Sequence, residues 1–143
     1  MYGAISDSVP SAILQNHLVL FPDSLKNLSP ANPDGWSVGY YFDGGPDPMV
    51  NRGFPTAIDD LNFDLAVSEA ADTTTSRIII SHVRNTSSGL IPSSGNPHPF
   101  ERLDERGAID GKYWLMSHNG SIDKDVLLDL IRPESLVAYP IQY

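Results

Sequence analysis

Lys112-Tyr113-Trp114-Leu115-Met116-Ser117-His118-Asn119-Gly120 is the stretch whose reading governs the fold, because an aromatic and aliphatic run stops there at a dipeptide with unusual backbone freedom. Asn-Gly between apolar runs is the commonest short signal for a type I′ hairpin turn. The residues that follow argue otherwise. Ile122, Val126, Leu127, Leu130 and Ile131 recur at helical spacing, with Ser121 and Asp123 placed to cap a helix start. The reading is therefore strand, turn, helix. Gly120 can take positive φ and admit a group close to its N–H, and the Asn119 amide carries two donors that can point outward from a strand end. A side-chain amide and a backbone N–H aimed at one point stabilise charge developing on a carbonyl oxygen, so Asn119 and Gly120 are the candidate oxyanion hole.

Upstream, Arg77-Ile78-Ile79-Ile80-Ser81-His82-Val83-Arg84 is a β-branched run that reads as a central strand, buried on both faces up to His82. Arg84 stands at its end, where a guanidinium can fork onto a carboxylate in two parallel hydrogen bonds. A pairing with one of the eighteen acidic side chains is the competing reading, and Ser87 and Gly89 nearby favour a site. The polar stretch 85–99 has the composition of a linker, but its flanking strands belong to one pattern. A long loop inside one domain is more often functional than idle.

Further toward the N-terminus, Gly3 to Ser6 reads as a short buried strand. A helix follows, started by Asp7 or Ser8 with Pro10 in its first turn and running to about Leu20. His17 falls on the apolar face of that helix with Ile13, Leu14, Leu18 and Phe21, and takes no chemical role. Residues 22–35 read as a loop. Trp36 to Phe42 is an aromatic strand, Asp43-Gly44-Gly45-Pro46 turns the chain, and Met49 to Arg52 returns antiparallel because the connection is too short for a helix. Thr56 to about Asp72 reads as a helix capped by Thr56 or Asp59, with Ile58, Leu61, Leu65, Ala66, Val67 and Ala70 near helical spacing.

The 143 residues have the length of one domain. With 41% hydrophobic and 19% charged residues the composition is that of a soluble globular protein. A formal charge of −9 disfavours nucleic acid and anionic membrane surfaces as partners, and no apolar run approaches membrane-spanning length. The first residues lack the features of a secretory signal, so a cytoplasmic location is expected. Cysteine is absent, which removes disulfides, thiolate metal sites and any Cys nucleophile from the chain as written. His17, His82, His98 and His118 show no metal-ligand spacing, so no metal or cofactor is expected. Phosphate loops and a G-x-S-x-G elbow are also missing. His82 and His118 each lie close ahead of a candidate site residue and fit orienting hydrogen-bonders better than acid–base groups.

Four stretches in order, Asn32-Pro33-Asp34-Gly35-Trp36-Ser37-Val38-Gly39-Tyr40-Tyr41, His82-Val83-Arg84, Asn96-Pro97-His98-Pro99-Phe100 and Trp114 to Gly120, resemble the class II glutamine amidotransferase family in its stand-alone bacterial and archaeal form. The resemblance covers most of the chain from Asn32 to Gly120. It implies an α+β fold of the N-terminal-nucleophile hydrolase type, an αββα four-layer sandwich of two antiparallel sheets between helices. It also implies glutaminase chemistry, in which an N-terminal Cys attacks the side-chain amide of glutamine or a γ-glutamyl compound, ammonia leaves, and water resolves a thioester. The same resemblance gives Arg84 the substrate α-carboxylate and Asn119 and Gly120 the oxyanion. It puts Ser87 where a substrate-contacting Thr is usual, and leaves Asn32, Asp34, Gly35, Trp36, His98, Pro99 and Phe100 to shape the site.

Two departures matter. The family begins Met-Cys-Arg, two variable residues and Gly, whereas this chain begins Met1-Tyr2-Gly3, matching the residues that would follow Met-Cys-Arg. Tyr2 cannot replace the nucleophile, since its phenol titrates near 10 and sits far from its own backbone nitrogen. The Asp-Ser-Glu stretch that would bind the substrate α-amino group is also missing. Residues 1–143 are thus expected to form a single domain incomplete at both ends, inactive as written, with the recorded start three codons late. Two competing readings are a non-catalytic glutamine or γ-glutamyl binding module with a degenerate site, and a triad hydrolase using a Ser. The expected partner is a small-molecule substrate, and an ammonia acceptor is not legible.

Overall fold

The computed structural model describes residues 1–7, 9–41, 45, 47–72, 78–86, 97–103, 113–120 and 123–130. Ser87, Asn96, Ser121, Ile122, Ile131, residues 140–143 and most of the turn after Tyr41 lie outside them. The fold is α+β, with two antiparallel sheets. Strands β1 (Tyr2–Ile5), β2 (Trp36–Tyr41), β3 (Pro48–Gly53) and β4 (Ile78–Val83) form one sheet in the order β1-β4-β2-β3. Strands β5 (Phe100–Leu103) and β6 (Tyr113–Met116) form the second.

Because side chains alternate across a strand, the register of β2 assigns every residue of the first sheet to a face. Trp36, Val38 and Tyr40 lie opposite Val83, Ser81 and Ile79 of β4, and their cross-strand partners on β3 are Gly53, Asn51 and Met49. This face is covered by helix α3 (Leu61–Asp72), and helix α1 (Ser11–Gln15) packs against α3 and adds Leu14 to the same core. Phe63 of α3 meets Trp36 edge-on with ring centroids 5.3 Å apart, and the Trp36 indole N–H donates to Asp60 Oδ2 (2.8 Å) at the start of that helix. Leu14, Leu18, Val38, Phe63, Val67 and Ile79 are fully buried here and form the core.

Ser37 and Gly39 face the opposite way, with His82 and Ile80 beside them. The second sheet packs on this face. A Cβ at Gly39 would lie 2.7 Å from Pro99 Cγ and 3.4 Å from Leu115 Cδ1, so the two sheets approach here more closely than any side chain allows. The Tyr41 hydroxyl donates to the Tyr113 carbonyl (2.7 Å), a second tie between the layers. On the outer side of the second sheet Phe100, Trp114 and Met116 are exposed. Helix α4 (Lys124–Leu130) follows β6, and its Val126 and Leu130 are exposed as well.

Several local expectations change. Strand β1 is an edge strand with Ile5 solvent-exposed, not a buried one. Asp7 does not cap α1, and Ser8 lies outside the described residues: the N-cap is Pro10, without a side-chain hydrogen bond, and the helix widens into π-type turns over Asn16–Leu20. His17 is exposed, its ring between those of Tyr2 and Phe21. The expected loop over residues 22–35 contains helix α2 (Leu25–Leu28), capped by Ser24, whose Oγ accepts from the Asn27 N–H, and a 3-10 turn over Ser29–Ala31. The expected helix from Thr56 is split into a 3-10 turn (Ala57–Asp59) and α3, and Asp60 rather than Thr56 or Asp59 accepts the exposed N–H of Asn62. Ile58, Leu61 and Leu65 are exposed and Phe63 takes the buried place. At α4 the expected cap is present, Asp123 Oδ1 accepting from the N–H of Asp125 and Val126.

The contact at Gly39 gives a direct test. Gly39→Ala forces the sheets apart and is expected to cost about 1–3 kcal/mol of overpacking strain. Phe63→Ala, on the other face, is expected to cost about 3–5 kcal/mol. Urea unfolding measures both, and a Gly39→Ala protein as stable as the parent would mean that the sheets do not meet as described.

Candidate functional site

The groups that carry chemistry collect between the two sheets, at the end of β4. One row crosses the first sheet on its inner face: Arg52 of β3 lies opposite Ser37 of β2, which lies opposite His82 of β4. Tyr2 lies opposite Ser81, so one residue further along the same antiparallel register Met1 comes level with His82. The α-amino group accordingly acts on His82 as a neighbouring positive charge.

Three imidazoles pile up against this row. The ring centroid of His98 lies 4.8 Å from that of His82 and 4.5 Å from that of His118, with Phe100 edge-on to His98 at 4.5 Å. His82 and His98 are buried, and among the described residues the Nδ1 of each lacks a hydrogen-bond partner, as do Ser37 Oγ, Ser117 Oγ and Arg84 Nη1. Five buried polar atoms without partners in one region mark a place built for a polar occupant, since such atoms are costly to leave unsatisfied. No acidic side chain pairs with Arg84 among the described residues. Among the same residues no three ligating side chains converge as they would around a metal ion.

Arg84 is fixed by its main chain. Its N–H donates to the Gly35 carbonyl (2.8 Å), and its carbonyl accepts from the Asp34 N–H (2.9 Å). Asp34 Oδ2 accepts from the Thr86 N–H (2.6 Å), so the carboxylate organises the chain after Arg84 rather than facing an occupant. Gly35 has φ of +115°, and a Cβ there would lie 2.7 Å from the Gly53 carbonyl oxygen and 3.1 Å from Pro97 Cγ, which accounts for glycine.

The residues singled out in the sequence thus divide. His82, Arg84, His98, Phe100 and His118 come together. Asn119 and Gly120 follow His118 at the exposed end of this region, Gly120 with φ of +111° and open space where a Cβ would stand. Asp34 and Gly35 act through the main chain of Arg84. Asn32 is a turn residue, its amide donating to the Leu28 carbonyl (3.0 Å). Trp36 points into the helix-covered core, on the far side of the sheet, so any shaping of the site by it is indirect. Ser87 lies outside the described residues. Sequence reasoning missed Arg52, Ser37 and Ser117. The alternation of β2 and β3 was the available signal, since it places Arg52 and Ser37 on one face with His82.

Burial is the largest cause that holds the His82 imidazole down to about 4, followed by the positive charges of His98, the α-amino group, His118 and Arg84. His98 is lowered too, first by burial and then by His118 and Arg84, against a hydrogen bond to the His118 main chain that raises it. Burial also lowers the α-amino group of Met1. Both shifts favour the neutral imidazole at His82 and at His98, beside the Arg84 guanidinium.

Residues 21–135 match the family model described as Glutamine amidotransferases class-II, which spans most of the chain. The chain belongs to the class II glutamine amidotransferase family. No curated protein matches it.

The histidine cluster predicts an acid-sensitive fold. The folded pKa of His82 is below the ordinary 6.5, so the unfolded chain takes up the proton first. The stabilisation is complete above about pH 6.5 and is lost as pH falls toward 4, by roughly 3 kcal/mol for His82 at 1.36 kcal/mol per unit. Urea midpoints measured from pH 7 to pH 4 should fall steeply in the parent and less so in His82→Asn. Equal slopes would contradict the assignment.

Proposed function

We propose that this domain recognises the glutamyl part of glutamine or a γ-glutamyl compound and, with an N-terminal Cys nucleophile, hydrolyses its side-chain amide. The observation that carries the reading is the buried Nη1 of Arg84, without a partner among the described residues, beside the imidazoles of His82 and His98 and the Ser37 and Ser117 hydroxyls, in a chain of this family. A guanidinium left without an acid suits a substrate carboxylate, which it grips in two parallel hydrogen bonds. Ser87 is the neighbouring substrate contact in this reading. Asn119 and Gly120 supply the oxyanion donors, a side-chain amide and the N–H of a positive-φ glycine with open space before it. The remaining site-shaping residues act as described above, Asp34 and Gly35 by holding Arg84, and His82, His98, Phe100 and His118 by forming the wall.

The register of β1 supports the missing thiol's place. Extended two residues ahead of Met1, where the family pattern has its Cys, it comes level with Arg84 on the face that carries His82. A thiol there uses its own α-amino group as base, attacks the amide carbon and releases ammonia, and the thioester is then resolved by water. The outer face of the second sheet, with Phe100, Trp114 and Met116 exposed and α4 presenting Val126 and Leu130, supports a covering helix layer and hence the four-layer αββα arrangement. The chain as written contains no cysteine, and this favours one second reading, a binding module that keeps the glutamyl pocket without catalysis.

Intact mass of the protein from its native source, before and after an electrophilic glutamine analogue, separates the two. A mass above 15.6 kDa with one adduct on an N-terminal Cys establishes the amidase; a native start at Met1 with no adduct sinks it and leaves the binding module. Under either reading Arg84→Gln should weaken glutamine binding roughly a hundredfold by calorimetry, the loss of about 3 kcal/mol expected for charged hydrogen bonds. Unchanged affinity would remove Arg84 from the site.

A further inference from the structure

We propose that Arg52 is the positioning residue of the histidine wall, holding His98 by gripping the main chain on both sides of it. Arg52 stands on β3, opposite Ser37 and on the inner face of the first sheet. Its Nε donates to the Pro97 carbonyl (3.3 Å) and its Nη2 to the Pro99 carbonyl (2.8 Å). Its Nη1 lies 3.4 Å from Glu101 Oε1, at the more exposed end of the contact. A planar guanidinium with donors on two edges can bracket one residue in this way, whereas an ammonium is a point charge that can take one carbonyl at a time. Among the described residues no other hydrogen bond ties 97–101 to the four-stranded sheet.

The residue so bracketed is the one to which the wall refers. His98 is the ring that touches both His82 and His118, and Phe100 closes its edge. It is also the point through which the second sheet is registered against Arg84, because the charges and rings facing it come from β4 (His82) and the residue after it (Arg84), from β5 (Phe100) and from the segment after β6 (His118). Without the two carbonyl bonds, Pro99 still packs on Gly39, so the sheets remain apposed while the His98 ring loses its fixed height. Arg52 therefore acts on the site through His98 and touches no substrate itself.

The inference bears on substrate through the glutamyl-pocket reading, but its test needs no substrate. The full chain, labelled at the histidine rings, is titrated by NMR as parent, Arg52→Gln, Arg52→Lys and Glu101→Gln. His17, on the far side of the first sheet between Tyr2 and Phe21, serves as internal reference. In Arg52→Gln the His98 ring signals should shift and its pKa should rise toward the ordinary 6.5, with smaller changes at His82 and His118 and none at His17. Arg52→Lys, which keeps the charge and one bond, should shift His98 in the same direction by a smaller amount and decides the question if Arg52→Gln does not fold. Glu101→Gln should leave all four rings unchanged. An unmoved His98 in the folded Arg52 variants overturns the proposal, as does a Glu101→Gln chain that reproduces their effect, since the ion pair and not the carbonyl grip would then hold the segment. Failure of the parent to bind glutamine would sink the glutamyl reading and leave these ring shifts to stand or fall on their own.

Discussion

The period-two alternation of β2, paired on both edges, is the constraint from which the rest follows. With β3 on one side and β4 on the other, β2 cannot slip by one residue without carrying Trp36, Val38 and Tyr40 out of the helix-covered core and Ser37 and Gly39 into it. The cost of that slip is the burial of two aromatic rings and a valine, several kcal/mol of apolar transfer, so the register is set by hydrophobic burial alone. Once it is set, the polar row of Arg52, Ser37 and His82 has no choice of face. The core and the candidate site are the two sides of one decision.

The site is accordingly an inter-sheet feature. The first sheet contributes the row and Arg84; the second contributes the ends of its strands, with His98 and Phe100 before and at β5 and Ser117 and His118 after β6. Glycine at position 39 lets the layers come close enough for imidazoles to meet at 4.5–4.8 Å. Closeness has an electrostatic consequence. A buried imidazole packed near another imidazole and a guanidinium favours its neutral form, so the packing of His82 against His98 and its depressed pKa are the same fact seen twice. Of the two guanidinium groups on this face, Arg52 is engaged by the Pro97 and Pro99 carbonyls, whereas Arg84 Nη1 has no partner among the described residues and so has a donor to offer an incoming anion.

Much of this was legible one stretch at a time. Trp36-Ser37-Val38-Gly39-Tyr40-Tyr41, with a return too short for a helix, dictates an antiparallel pair, and the Ile78-Ile79-Ile80 run dictates a central strand. The residues after Gly120 rule out a hairpin, and Asp123 caps the helix that replaces it. Where sequence reading failed, the failures share a cause. His17 and Leu65 have helical spacing but stay exposed, and Ile5 belongs to a strand that ends on an edge. Helical or strand periodicity tells which residues share a face, and only tertiary packing tells whether that face is covered. Trp36 was assigned to the site by its motif, yet the alternation of its own strand turns it away.

The amino-acid sequence by itself determined the family and most of the strands and helices, though not α2 or β5, because these rest on local periodicity and on short motifs. The tertiary structure alone decided that His82, His98 and His118 form one stack, that Arg84 goes unpaired among the described residues, and that Arg52 reaches across to the carbonyls beside His98. The first and third of these join residues 16 to 47 positions apart, and contacts at such separations are set by strand register and sheet packing, which no local pattern in the chain encodes.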